Sequence, residues 1–416
     1  MTTRIGRRTL LSVTASGLSA MLASRLLGAP DAFAKPGSKA RAIIVLWMNG
    51  GPSQLDTWDP KPGAPTGGPH KAIATSVPDL SISEHLPLVA REASKLCVVR
   101  SGTSKEGNHQ RAQYLMHTGY SPNPTVQHPS FGSWSSALAG DPKNGLPSFV
   151  SIGGPSAGAG FFGVQHGPFV VQKAGELPQN VAALADPARF ASRQGLLDQM
   201  EQKFQSDTGD TKIDGRRALY GKAMTMMQAP RLAAFDVDGE PDAVKKDYGA
   251  TDFGRGCLVA RRLVEAGVRY VEVTLDGWDT HKDNFGRTQR LMGTLDPAMS
   301  ALLRDLEARK LLDSTLVLWM GDFGRTPRIN GNDGRDHYPQ AWSAVLAGGG
   351  ARKGYVHGAT DARGEKIVKG PVTVPDLFAT VATLAGVDPK ESRTSPAGRP
   401  IAITEDGSPV KELIAT

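Results

Sequence analysis

The run Ala42-Ile43-Ile44-Val45-Leu46-Trp47-Met48 constrains the fold more than any other part of this chain. It holds seven apolar residues without a polar break and closes on Asn49-Gly50-Gly51. A strand with one face in water alternates apolar and polar residues. An unbroken run is covered on both faces, as in a parallel sheet. The same pattern recurs at 96–100 (LCVVR), 268–275 (VRYVEVTL), 315–321 (TLVLWMG) and 343–350 (SAVLAGGG). Helical patterns lie between them. One spans 251–267. Another is expected to open at Asp296 as N-cap with Pro297 at the first helical position, followed by the stripe Met299, Leu302, Leu303 and Leu306. A third spans 373–387 and ends at Gly386. Strands alternating with helices predict an α/β fold around a mostly parallel β-sheet. The stretch from about 150 to 250, rich in Gly, Ala and Pro, reads as a helical insertion or cap.

Open α/β sheets bind their ligands beyond the carboxyl ends of the strands. Polar residues cluster at those points here. The first strand is followed by Asn49, Ser53, Gln54, Asp56 and Asp59, and the second by Ser101, Thr103, Ser104, Glu106, Asn108 and His109. After the third come Asp276, Asp279, His281, Asp283 and Asn284. After the fourth come Asp322, Arg325, Arg335, Asp336 and His337. A single aspartate after a strand is more often a cap or turn former than a ligand. Agreement among four strand ends is what points to a metal or oxyanion site. Of the nine histidines in the chain, three (His109, His281, His337) fall in these segments. Carboxylates with neutral imidazoles suit zinc or manganese, whereas magnesium or calcium prefers oxygen ligands alone.

The amino end reads as a cleaved secretory signal over residues 1–34. Arg4, Arg7 and Arg8 precede an apolar stretch, and Ala32-Phe33-Ala34 supplies small residues for cleavage. Arg7-Arg8 followed by Thr9-Leu10-Leu11 suits the twin-arginine export machinery, a route for folded proteins that allows a metal to be loaded first. The apolar stretch is interrupted by Arg25 and too weakly apolar for a good membrane span. The mature chain, 35–416, is thus expected to be exported, periplasmic or extracellular, with no stable membrane span. Four arginines against Asp31 put +3 of the net charge of +7 in the signal, leaving +4 scattered over the mature chain. No Lys/Arg block marks a nucleic-acid partner. Cys97 and Cys257 sit in apolar or helical contexts and read as buried free thiols.

Two enzyme classes are set aside. Asp322-Phe323-Gly324 spells the magnesium-binding triplet of protein kinases, but Gly334-Arg335-Asp336-His337 follows it where a kinase needs its catalytic loop upstream, and no lysine-bearing strand precedes it. No G-x-S-x-G elbow for a serine hydrolase joins a strand to a helix, and Ser53 fits a capping role.

Three stretches resemble sulfatases: LEARKLLDSTLVLWMGDFG (306–324), RAQYLMHTGYSP (111–122) and PDLFATVATLAGV (375–387). Together they are similar to the alkaline phosphatase superfamily. NGGPSQLDTWDPKP, DGWDTHKDN, GDFGRTPRINGNDGRDHYP and AGGGARKGYVHGATD more closely resemble the exported bacterial family called "domain of unknown function fifteen-oh-one", over nearly all of the mature chain. The resemblance implies an alkaline phosphatase-like three-layer sandwich with two metals at the strand ends. It implies Asp322 as a ligand of one metal, and Asp279, His281 and His337 as ligands of the other. Asn49 stands where superfamily members usually carry Asp, so Asp56 is expected to substitute. Phe323 stands where His or Asn is usual, and the sulfatase motif converted to formylglycine is absent.

These readings give an expected function: a hydrolase of small anionic phosphate or sulfate esters dependent on a divalent metal. The metal ligands would be Asp56, Asp279, His281, Asp322 and His337. Arg325 or Arg335 would grip the substrate's oxygens by bidentate contacts. His109 would be nucleophile, acid/base or ligand, with Thr103, Ser104 and Asn108 beside the substrate. The alternative is an exported binding or accessory protein that keeps the fold without the chemistry.

Overall fold

A computed structural model describes residues 39–141, 144–181, 186–209 and 212–416. The signal segment expected at 1–34 lies outside the described residues. The centre of the fold is a nine-stranded sheet. We number its strands β1 (Ala42–Met48), β2 (Leu96–Thr103), β3 (Phe149–Ile152), β4 (Phe169–Val171), β5 (Tyr270–Leu275), β6 (Thr315–Gly321), β7 (Trp342–Ala347), β8 (Tyr355–His357) and β9 (Val372–Thr373). The order is β8-β2-β7-β6-β1-β5-β3-β4, with β9 also paired to β2. β7 runs antiparallel to both its neighbours, and every other pairing is parallel.

The central strands β1 and β6 are buried at all seven positions, as unbroken apolar runs require. Alternate residues of β1 enter different cores. Ile44, Leu46 and Met48 pack toward the helices Asp252–Glu265 and Asn284–Ala308. Ile43, Val45 and Trp47 pack toward the helices His109–Thr118, Phe131–Ala139 and Val374–Leu384. The result is helix layer, sheet, helix layer, the α/β three-layer sandwich expected. Each large apolar side chain buried this way contributes about 1.5–3 kcal/mol. Cys97 and Cys257 are both buried and free.

One helix start differs from the sequence reading. Asn284–Ala308 is a single helix with Pro297 inside it, so Asp296 is not its cap. Asp296 instead accepts from the amides of Leu88 (3.0 Å) and Val89 (2.8 Å), at the start of the short helix Pro87–Arg91. That helix has no side-chain cap of its own, and the Asp296 carboxylate satisfies its free amides from across the core. Of the stretch read as an insertion, β3 and β4 extend the main sheet, while Pro187–Thr208 and Lys212–Met227 are helices outside it. Among the described residues no helix is long and apolar enough to cross a membrane.

Candidate metal centre

The parallel strands β5, β1 and β6 finish level with one another. Met48 lies opposite Leu275 on one side and Gly321 on the other. The next residues, Asp276, Asn49 and Asp322, therefore emerge side by side. Asn49 donates to Asp276 Oδ1 at 2.6 Å. Gln113 donates to Asn49 Oδ1 (2.7 Å) and to Asp322 Oδ2 (3.3 Å). Asp322 is fully buried, and its Oδ1 accepts from the Gly50 amide at 3.4 Å.

Three loops then bring imidazoles to this edge. The loop after β5 carries Asp279 and His281. It presses on the backbone of Gly50, which has φ +110°, and a Cβ there would lie 2.4 Å from the Asp279 amide nitrogen. Only glycine permits that approach. Beyond β6, Gly324–Arg325 pairs antiparallel with His337–Tyr338, so the chain returns and delivers His337 opposite Arg325. In the returning loop a Cβ on Gly334 would lie 1.9 Å from the His281 carbonyl oxygen, which fixes the two loops together. His109 is the first residue of the helix His109–Thr118, capped by the Asn108 side chain.

The three rings share one arrangement. His109 Nδ1 lies 2.6 Å from Asp322 Oδ2, His281 Nδ1 2.7 Å from Asp336 Oδ1, and His337 Nδ1 2.7 Å from the Gly107 carbonyl. Each Nδ1 faces an acceptor and so carries a proton, and in the neutral ring each Nε2 is then a lone pair. Those Nε2 atoms converge. His281 Nε2 is 2.9 Å from His337 Nε2. Asp279 Oδ1 lies 3.1 Å from His281 Nε2 and 3.4 Å from both His337 Nε2 and His109 Nε2. His109 Nε2 is buried and has no hydrogen-bond partner. Lone pairs aimed at one another and at a carboxylate repel unless a cation or proton lies between them. Bonds of about 2.0–2.1 Å to a tetrahedral zinc would hold ligand atoms about 3.3–3.4 Å apart, which matches Asp279 Oδ1 with His109 Nε2 and His337 Nε2 at 3.4 Å each, while the 2.9 Å between His281 and His337 is a hydrogen-bond distance. Carboxylates or carbonyls behind ligating histidines are the usual outer support of such a centre. One ligand atom from each of His109, Asp279 and His337 lies within 4.8 Å of the others, and that donor set fits a divalent metal of the zinc or manganese class; His281 stands beside it, against Asp279 and His337.

The surrounding charges are consistent with that set. Burial disfavours ionised Asp279, but the Arg325 hydrogen bond (2.7 Å) and nearby positive groups hold its carboxyl down at about 2. The hydrogen bond to Asp322 raises His109 above its ordinary value, against burial. Burial lowers His337, and the bond from His281 lowers Asp336. Phe323 is buried beneath the rings, its centroid 4.9 Å from His109 and 4.5 Å from His337. The residue that counted against a metal in the sequence is the apolar floor of the cluster. Asp279 and His281 remain 46% and 41% exposed, so small molecules can reach the site.

Several expected site residues lie elsewhere. Asp56 is fully buried in an ion pair with Arg335 (2.7 Å) and accepts from Asn284 (2.9 Å), so its oxygens do not face the cluster. Arg335 is sealed too, donating to Asp56 and to the carbonyls of Thr66, Thr326 and Pro327. It has no free face for a substrate. Arg325 is buried and reaches the site only through Asp279; its other donors go to the carbonyls of Gly50, Gly51 and Arg335. Asp322 stands behind His109 rather than among the ligand atoms. Asn108 is engaged as a helix cap. Thr103 ends β2 opposite Thr373, and the Ser104 hydroxyl is buried without a partner. The supporting groups Asp336, Gln113 and the Gly107 carbonyl were missed as site residues. Asp336 adjoins His337 in sequence yet supports His281, a pairing that spacing does not disclose.

Known proteins resemble the chain only distantly in structure. The phosphonate monoester hydrolase of Agrobacterium radiobacter aligns over 90% of this chain and 77% of its own, at 10% identity and a TM-score of 0.42. The lipoteichoic acid synthase LtaP from Listeria monocytogenes aligns over 91% and 77%, at 10% identity and a TM-score of 0.40. The PsFucS1 sulfatase from Pseudoalteromonas sp. aligns over 92% and 72%, at 15% identity and a TM-score of 0.38. No curated protein matches the chain. A family model does match, across residues 40–414, and the chain accordingly belongs to the family described as "Protein of unknown function (DUF1501)".

Proposed function

We propose that this protein is an exported, metal-dependent hydrolase of phosphate or sulfate esters, with its site at the carboxyl ends of β1, β5 and β6. The observation that carries the proposal is the convergence of three Nε2 lone pairs on Asp279 Oδ1, each ring held by a partner on its far side. A divalent metal held by His109, Asp279 and His337 would polarise an ester oxygen and make water nucleophilic near neutral pH. Asp322, Asp336 and the Gly107 carbonyl fix the ring tautomers. Arg325 fixes the Asp279 carboxylate and keeps it ionised. The cluster lies at the amino end of the helix His109–Thr118, where the helix dipole favours an anionic substrate. Export rests on the paired arginines and weakly apolar stretch of residues 1–34.

A second reading, a binding protein without turnover, is favoured by one observation. His281 Nε2 lies 2.9 Å from His337 Nε2 and 3.1 Å from Asp279 Oδ1, so the cluster can also close as a hydrogen-bonded network without chemistry. One experiment separates the two. Protein purified without chelator is assayed for bound metal, for melting with and without chelator, and for hydrolysis of aryl phosphates and aryl sulfates. The hydrolase reading expects a bound transition metal and turnover that His337→Ala abolishes. Metal that raises the melting temperature without turnover of any ester supports the binding protein. Protein that binds no transition metal and turns over no ester refutes the hydrolase and leaves the cluster as a hydrogen-bonded network.

A further inference from the structure

We propose that His70, Glu84 and His85 form a second divalent-metal site, of the zinc class, away from the cluster around Asp279. These residues flank a two-stranded antiparallel ribbon, Ala72–Ala74 with Ser81–Ser83. Its register pairs Ala72 with Ser83 and Ala74 with Ser81. Continued outward, that register sets Lys71 opposite Glu84 and His70 opposite His85. The Glu84 amide does bond to the Lys71 carbonyl at 2.9 Å, so the ladder runs on to the histidines. The ribbon itself therefore brings the two imidazoles face to face.

His85 Nε2 lies 3.1 Å from His70 Nδ1. The rings meet edge to face with centroids 4.5 Å apart, and the far side of His70 rests edge-on against Phe285 at 5.5 Å. Glu84 folds back so that one of its oxygens accepts from the Lys71 amide at 2.9 Å. One ligand atom from each of the three residues lies within 4.8 Å of the others. Two imidazoles and a carboxylate are a three-ligand set that leaves one position of a tetrahedral zinc open. The nitrogen separation again approaches the 3.3–3.4 Å or so that such a geometry imposes. A metal here would fix the His70 ring, which rests on Phe285, the second residue of the helix Asn284–Ala308. The loop leading into that helix carries Asp279 and His281, so the second site would brace the first from behind.

The test is zinc(II) uptake by metal-stripped full-length protein. Wild type is expected to bind one equivalent per chain more than the His70→Ala/His85→Ala variant. A His281→Ala/His337→Ala variant is expected to keep that equivalent, which separates failure here from failure at the Asp279 cluster. Equal uptake by wild type and the His70→Ala/His85→Ala variant overturns the proposal and leaves the pair as an imidazole–imidazole hydrogen bond. If that variant does not fold, wild-type crystals soaked in zinc decide. Anomalous density bonded to His70 and His85 supports the site, and its absence in crystals that took up zinc at the Asp279 cluster overturns it.

Discussion

Changing Asp322 or Asp336 to Asn tests whether the histidine cluster is a metal centre built from outside in. Asp322 accepts from Nδ1 of the proposed ligand His109 at 2.6 Å, and Asp336 from Nδ1 of His281, which lies against the ligands, at 2.7 Å. Asn still accepts through its amide oxygen, so ring position is kept and the charge is lost. A charge-assisted bond is roughly twice as strong as a neutral one, and loss of such outer partners costs metal affinity about 10–100-fold. Burial ranks the two. The Asp322 side chain is 0% exposed, while Asp336 is 55% exposed and screened by water. Asp322→Asn should therefore fall near the upper end, about 100-fold, and Asp336→Asn near about 10-fold or less. The measurement is zinc affinity by competition with a chromophoric chelator, at fixed pH and salt, beside a urea melt to show that both variants fold. Affinities within twofold of wild type for both, or a larger loss for Asp336→Asn, would refute the reasoning.

The other predictions concern pH, stability and loop contact. Proton and metal compete for each Nε2, so zinc affinity should fall with acidity, and His109, raised by Asp322, should be the first ring to protonate; titrations from pH 8 to 5 check this. Asp56→Ala leaves the Arg335 guanidinium buried and unpaired, a loss of about 3–5 kcal/mol. At about 2.1 cal/mol/K per residue this lowers the melting temperature of a 416-residue chain by roughly 3–6 °C while metal content is unchanged. Asp56→Ala/Arg335→Met should recover part of that loss. Gly334→Ala would force the His281 carbonyl away and should weaken zinc binding at least tenfold. His117, buried beside Glu272, loses charge to burial but is held above its ordinary value by that carboxylate. Its contribution to stability is full below about pH 6.5 and fades as pH rises through the raised value. Urea midpoints of wild type and Glu272→Gln should therefore converge as the solution becomes more alkaline.

The fold was largely legible because a strand covered on both faces must be apolar throughout, and AIIVLWM and TLVLWMG can be little else. The helix start at Asp296-Pro297 was misread for a definite reason. The local pattern is that of a cap, but the carboxylate is bonded to the amides of Leu88 and Val89, more than 200 residues earlier. The candidate site was half legible. The strand-end rule named His109, Asp279, His281 and His337, and the structure places them near one another, since parallel strands must deliver their following loops to one edge. It could not tell Asp279, at the cluster, from Asp56, neutralised by Arg335, because both are aspartates in polar loops after strands.

Sequence by itself determined the sheet, the edge at which the polar loops gather and the residue types they carry, because hydrophobic period and residue chemistry are local properties. Tertiary structure decided which polar groups face one another. The His337 ring meets His281 through the return of the Gly324–Arg325 ribbon, Asp336 supports His281 rather than its neighbour, and Phe323 lies beneath the rings. Those pairings depend on loop paths fixed by close contacts such as Gly50 against Asp279 and Gly334 against His281. Distances between loops are set by packing, and no spacing along the chain records them.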